Sequence, residues 1–207
     1  VVDALAGGEG LLRDLARAPR NLIIVGKPGA GKSTLLAQLG SLAAESTISN
    51  EVFAAPILPV MVHAGDLELP VAEKIDAAQP LVDAALARLT AISASAFPSF
   101  IKNILKEGKA LILLDGFDDL PPAQQALVIE WLRNFKATYG KNRLIATGPL
   151  AGFAPFLSLD FVPVVMGGWS TEMFRVLVDK WVAAWPTVLA AQKRRKRDDD
   201  LDPALVA

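Results

Sequence analysis

Five short stretches of the chain are apolar with little interruption: Leu22 to Val25, Leu58 to Val62, Leu111 to Leu114, Leu144 to Ala146 and Phe161 to Met166. None alternates with polar residues as a sheet with one wet face would, so they read as strands buried on both sides. The segments between them carry apolar residues at helical spacing. Val82, Ala85, Leu86, Leu89 and Ile92 make one set, Phe97, Phe100, Ile101, Ile104 and Leu105 a second, and Leu127, Val128, Trp131 and Phe135 a third. Strands and helices therefore alternate, which predicts an α/β domain of three layers, a mostly parallel five-stranded sheet with helices on both faces. A last helix is expected from Ser170, a suitable N-cap, with Phe174, Leu177, Val178, Trp181 and Trp185 on one face and Pro186 ending or kinking it.

The first predicted strand runs straight into Gly26-Lys27-Pro28-Gly29-Ala30-Gly31-Lys32-Ser33, a full match to GxxxxGK[ST]. The four fixed positions coincide by chance in about one in a hundred chains of this size, and the strand before and helix after make coincidence rarer still. Gly26, Gly29 and Gly31 let a backbone wrap a diphosphate closely enough for its amides to point at the oxygens. Lys32 can reach the β- and γ-phosphates, Ser33 can give a hydroxyl to Mg²⁺, and the helix that starts here turns its positive end toward the anion. Leu35, Leu36, Leu39 and Leu42 supply that helix with an apolar stripe.

Ligands of an open parallel sheet lie beyond the carboxyl ends of its strands, so a second functional group is expected at the end of another buried strand. Asp115 follows Leu111 to Leu114 directly and can hold Mg²⁺ itself or through water, the Walker B pattern. Asp118 and Asp119 come next, before Pro121 and Pro122 open the following helix. Phosphoryl transfer to water needs an acceptor for the water's proton, for which Asp119 is the first candidate and Asp118 the second. Either can instead serve as a helix N-cap.

With 207 residues, 52% of them hydrophobic, the chain can bury one sizeable core and reads as a single main domain. Lys and Arg total 21 against 22 Asp and Glu, so net charge calls for neither nucleic acid nor a membrane as partner. The absence of cysteine excludes disulfides and thiolate metal sites and fits a reducing, cytoplasmic setting. The missing initiator Met and a mean hydropathy of +0.37 suggest a piece of a longer protein with apolar surface meant for neighbours. Between Leu144 and Trp169 the only charge is Asp160, yet Gly148, Pro149, Gly152, Pro155 and Pro163 favour strand, loop and strand over a membrane span. Near the end, Lys193, Arg194, Arg195, Lys196 and Arg197 run into Asp198, Asp199 and Asp200, which suits a solvated helix end or linker more than a nucleic-acid or regulatory contact. The expected organisation is a lead-in over 1–20, the domain over 21–186, and a charged tail or linker over 187–207 toward further domains.

The phosphate loop GKPGAGKST, the segment LILLDGFDDL with a small Gly116 after the metal-binding Asp, and the preceding KEGKA resemble NACHT-domain NTPases, members of the STAND group of signalling ATPases. In motif order the resemblance extends from Asn21 to Trp185, with LPVMVHAGDL similar to the family's second strand and MGGWSTEMFRVLVDKW to its last strand and helix. It implies a P-loop fold with an extra strand between the two Walker strands. It also implies binding of ATP or ADP with Mg²⁺, slow hydrolysis, a nucleotide-governed change between monomer and oligomer, and fused sensor and effector domains. By position, Gly31, Lys32, Ser33 and Thr34 would hold phosphates and Mg²⁺, Asp115 the metal and Asp119 the water, with the base held by the segment around Leu11 to Arg20.

Two departures bear on activity. Where the family commonly ends its fourth strand with Ser/Thr, Arg and Pro, this chain has Thr147, Gly148 and Pro149, and Arg143 sits a strand length away from the rim. Asp119 stands where the family typically has the longer Glu. Both predict low ATPase turnover without loss of nucleotide binding, and leave open a nucleotide-binding interaction domain that turns nothing over. A phosphotransferase is disfavoured, because no Arg-rich lid segment follows. ATP is favoured over GTP by the resemblance and by the lack of an Asn/Thr-Lys-x-Asp motif. His63, the only histidine, reads as a structural residue at a strand end. Trp131, Trp169, Trp181 and Trp185 read as core packing rather than base-stacking platforms.

Overall fold

The computed structural model describes residues 15, 20–45, 57–70, 75–87, 96–168 and 170–199. Five strands form one sheet: β1 (Leu22–Val25), β2 (Leu58–His63), β3 (Ala110–Asp115), β4 (Arg143–Gly148) and β5 (Val162–Val165). Every pairing is parallel and the order across the sheet is β2-β3-β4-β1-β5. The strand carrying the phosphate loop and the strand ending in Asp115 are thus separated by β4, the inserted strand that the resemblance implies.

The unbroken apolar runs have a simple cause. Ile23, Val25, Ile112, Leu114 and Ala146 enter one apolar cluster, whereas Leu22, Ile24, Leu111, Leu113 and Ile145 enter another on the opposite face. Leu36 and Leu39 of helix α1 (Lys32–Ala44) belong to the second cluster. Helices α2 (Gln79–Leu86), α3 (Phe97–Glu107) and α4 (Pro122–Tyr139) bring Leu81, Ile101, Val128 and Phe135 to the first. Both faces are covered over β1, β3 and β4, so neither side of these strands needs polar residues; β5, at the edge of the sheet, departs from the expectation, with Pro163 and Val165 exposed.

Strand positions agree with the expected ones to within one or two residues. Leu89 and Ile92, predicted to continue α2, lie outside the described residues, as does Trp169. The stretch once open to a membrane reading contains β4, the short helix α5 (Ala154–Leu157) and β5; among the described residues no helix is long and apolar enough to cross a membrane.

Two compact units divide the chain, Val1–Gly167 and Gly168–Ala207. The second holds α6 (Thr171–Asp199), whose N-cap is Ser170 as expected: its Oγ accepts the Met173 N–H at 3.1 Å. Pro186 does not end this helix. It removes a single N–H from the ladder, and the Leu, Ala, Gln, Lys and Arg residues beyond it are good helix formers that carry the helix on. Trp131 is buried in the core as predicted, but Trp181 and Trp185 are not core residues. They are 62% and 44% exposed on α6, their rings 4.9 Å apart, because that unit has no apolar core of its own among the described residues.

Candidate functional site

β1 ends at Val25 and the chain turns over the edge of the sheet. Met166 donates its N–H to the Val25 carbonyl at 2.8 Å, and a Cβ on Gly26 would lie 3.1 Å from the Met166 Cβ, so only glycine leaves this approach relaxed. Gly29 and Gly31 hold φ of 76° and 93°, the left-handed region that L side chains avoid. The turn closes with the Ala30 N–H on the Lys27 carbonyl at 3.1 Å, and α1 opens with the Leu35 N–H on Gly31 at 2.9 Å. The result is a concave backbone whose early helix amides have no helical acceptor, a suitable cradle for phosphate. Ser33 and Thr34 are exposed on the first turn of α1, whereas Lys32 is only 7% exposed. Its ammonium donates to the carbonyls of Gly26 (3.1 Å) and Lys27 (3.3 Å) and pairs with Asp118 at 3.1 Å.

The facing wall comes from the end of β3. Asp115 is partly buried, and its Oδ1 accepts the hydroxyl proton of Thr147 at 2.6 Å. The same hydroxyl accepts the Gly116 N–H at 3.2 Å. Thr147 is fully buried at the end of β4, so one side chain fixes both the carboxylate and the start of the next turn. Gly116, at φ 73°, leads into the 3₁₀ turn Phe117–Asp119. Phe117 anchors this turn in the core, edge-on to Phe156 at 4.8 Å, while Gln125 of α4 donates to the carbonyls of Phe117 and Leu120. Asp118 faces Lys32. Asp119 is 72% exposed, with Oδ2 3.5 Å from His63 Nε2. Neither aspartate caps α4, whose N-cap is Pro121 without a side-chain cap bond.

Gly26, Lys32, Ser33, Asp115, Asp118 and Asp119 line one cleft of about 450 Å³. A second cleft of about 540 Å³, by Asp76 and Trp131, contains none of the candidate residues. The donor set of the first fits a nucleoside phosphate with Mg²⁺: a backbone cradle, one lysine, one hydroxyl and one carboxylate whose Oδ2 makes no hydrogen bond among the described residues. No group of three or more His, Asp or Glu among the described residues could hold a metal by itself, so Mg²⁺ here would complete its shell with phosphate oxygens and water, its usual habit. Arg143 is remote from the cleft. It starts β4, its Nη2 donates to the Leu15 carbonyl, and burial pulls its guanidinium down to about 10. Of the proposed base-binding segment only Leu15 and Arg20 are described.

A family model, the NACHT domain, matches residues 20–147. The chain belongs to the NACHT family. This NACHT domain is thereby a P-loop NTPase nucleotide-binding domain, a class that takes nucleotide and typically Mg²⁺. Among solved structures it is similar to the ORC1 protein of Aeropyrum pernix in complex with DNA, with a TM-score of 0.50 and 19% identity over 83% of this chain and 48% of that one. PCH-2 of C. elegans gives a TM-score of 0.47 and 13% identity over 86% of this chain and 45% of that one. The NACHT domain spans about half the length of each. No curated protein matches it by sequence. Identity at the level of ORC1 speaks to the shared fold alone.

The sequence singled out Lys32, Ser33, Asp115, Asp118 and Asp119, and all five meet at the cleft. It did not anticipate Thr147 as the residue holding Asp115, the pairing of Asp118 with Lys32, or the approach of His63 to Asp119. Each depends on strand register, and the nearest signal was Thr147 ending a predicted strand that lies beside two others.

Proposed function

We propose that this NACHT domain binds ATP or ADP with Mg²⁺ and hydrolyses ATP slowly, as the nucleotide switch of a STAND-type signalling protein in which it controls oligomerisation of a larger parent. The observation that carries this reading is the meeting of Lys32, Asp115 and Asp119 on one phosphate-loop cleft. Loop amides and Lys32 hold the phosphates, Lys32 exchanging Asp118 for β- and γ-oxygens. Ser33 and Asp115 would hold Mg²⁺, which when bound neutralises charge on those oxygens. Asp119 accepts the proton of a water as its oxygen bonds to the γ-phosphorus and the bond to ADP breaks. Turnover is slow because Gly148 offers no cation to the γ-phosphate and Asp119 is one methylene shorter than Glu. The cytoplasm, fused sensor and effector domains, and self-association through the parent complete the reading, with no direct role for nucleic acid.

Gly148 also favours a second reading, a domain that holds nucleotide without turning it over. Mg²⁺-dependent ATP hydrolysis by the purified chain, with Lys32→Ala and Asp119→Asn as controls and the co-purified nucleotide identified by mass, separates them. Turnover lost in both variants is expected; bound nucleotide without turnover in the unmutated chain supports the second reading.

A further inference from the structure

His63 ends the edge strand β2 in register with Asp115. Its ring, 36% exposed, lies against two glycines. A Cβ on Gly116 would fall 1.9 Å from Nε2, and one on Gly65 would lie 3.1 Å from Nδ1. The Gly65 N–H donates to Nδ1 at 3.1 Å, so Nδ1 is the acceptor and the neutral ring carries its proton on Nε2. That nitrogen is the one 3.5 Å from Asp119 Oδ2. The Gly65 bond makes His63 the N-cap of the 3₁₀ turn Ala64–Asp66, and the φ of 73° at Gly116 calls for glycine by itself; neither role requires Nε2 to face Asp119 Oδ2.

We propose that His63 is a positioning residue for Asp119: Gly65 fixes its tautomer, Gly116 makes room for its ring, and its Nε2–H orients a carboxylate that is otherwise open to solvent. Held through Oδ2, Asp119 keeps Oδ1 free to accept a proton. The role rests on the proposed hydrolysis, in which Asp119 is the proton acceptor, but the contact can be read without turnover.

The two ring nitrogens allow two complementary substitutions. His63→Asn keeps an acceptor where Nδ1 meets Gly65 and loses the donor to Asp119; His63→Gln keeps an N–H donor near the Nε2 position and loses the Gly65 contact. Positioning predicts that His63→Asn lowers kcat for ATP about tenfold with KM within about twofold, and that His63→Gln restores most of kcat. Equal losses in both variants, an unchanged kcat, or an increase would overturn it. In parallel, ¹⁵N spectra of this sole histidine at pH 8.5 should show the Nε2–H tautomer, with the Nε2 resonance displaced by Asp119→Ala and not by Asp118→Asn. An Nε2 resonance indifferent to Asp119 would also sink the proposal. If the unmutated chain turns over no ATP, the hydrolysis reading fails and the spectra alone decide whether His63 holds Asp119.

Discussion

Thr147 is the residue on which the acidic wall of the cleft depends. Its hydroxyl both donates to Asp115 and accepts from the Gly116 N–H, and it is fully buried, so water cannot replace it. Thr147→Val keeps the shape and strands the amide; urea unfolding should show a loss of about 1 to 3 kcal/mol, with Thr147→Ser close to the unmutated chain. Lys32→Ala removes one or two charge-assisted bonds to phosphate and should weaken nucleotide binding at least about tenfold by calorimetry. A third residue is informative because it is the only tyrosine. Burial, then the hydrogen bond and charge of Asp76, push Tyr139 up to about 12. A proton held more tightly in the folded state leaves stability untouched below pH 10 and lowers it as pH rises from 10 toward 12. An absorbance titration at the tyrosinate band should therefore find its midpoint near 12, and Asp76→Asn should bring it down. Lys32 and Asp115 were legible in the sequence because a phosphate loop and a strand end are local patterns. Thr147, His63 and the Asp76–Tyr139 bond, 63 residues apart in the chain, were not, since each needs strand or helix neighbours that only the fold supplies.

At the scale of elements, apolar runs set where the strands lie, and the run lengths were enough to find all five. Their order was not readable from the runs themselves, because parallel strands joined by helices can be laid down in several sequences across a sheet; the resemblance implied only the strand inserted between the two Walker strands. What holds the non-adjacent ends in place is a buried side chain. Asn142, 3% exposed, accepts the Ala110 N–H at 3.0 Å and donates to the carbonyls of Leu105 (2.7 Å) and Tyr139 (2.9 Å). It thereby ties the end of α3, the start of β3 and the end of α4 just before β4. Asn142→Ala leaves these groups without partners away from water, and a loss of about 3 kcal/mol in chemical denaturation is expected. Pro186 marks the opposite limit of local reading: a residue that usually stops helices lies inside one, because propensity is summed over a segment rather than decided at one position.

For the molecule as a whole, every candidate site residue belongs to the first compact unit. A chain ending at Gly167 should accordingly bind nucleotide with the affinity of the longer one, measured with the same titration. Light scattering of the full chain in ATP and in ADP tests whether nucleotide state changes its mass. Nucleotide entering the cleft meets the ion pair between Lys32 and Asp118. Asp118 is an anion already seated beside the loop's lysine, so it behaves as an intramolecular competitor that no dilution can remove. Phosphate must displace it, and the measured affinity is the difference between two attractions to one ammonium. Asp118→Asn should then tighten nucleotide binding severalfold. The aspartate thereby sets the nucleotide concentration at which the cleft fills.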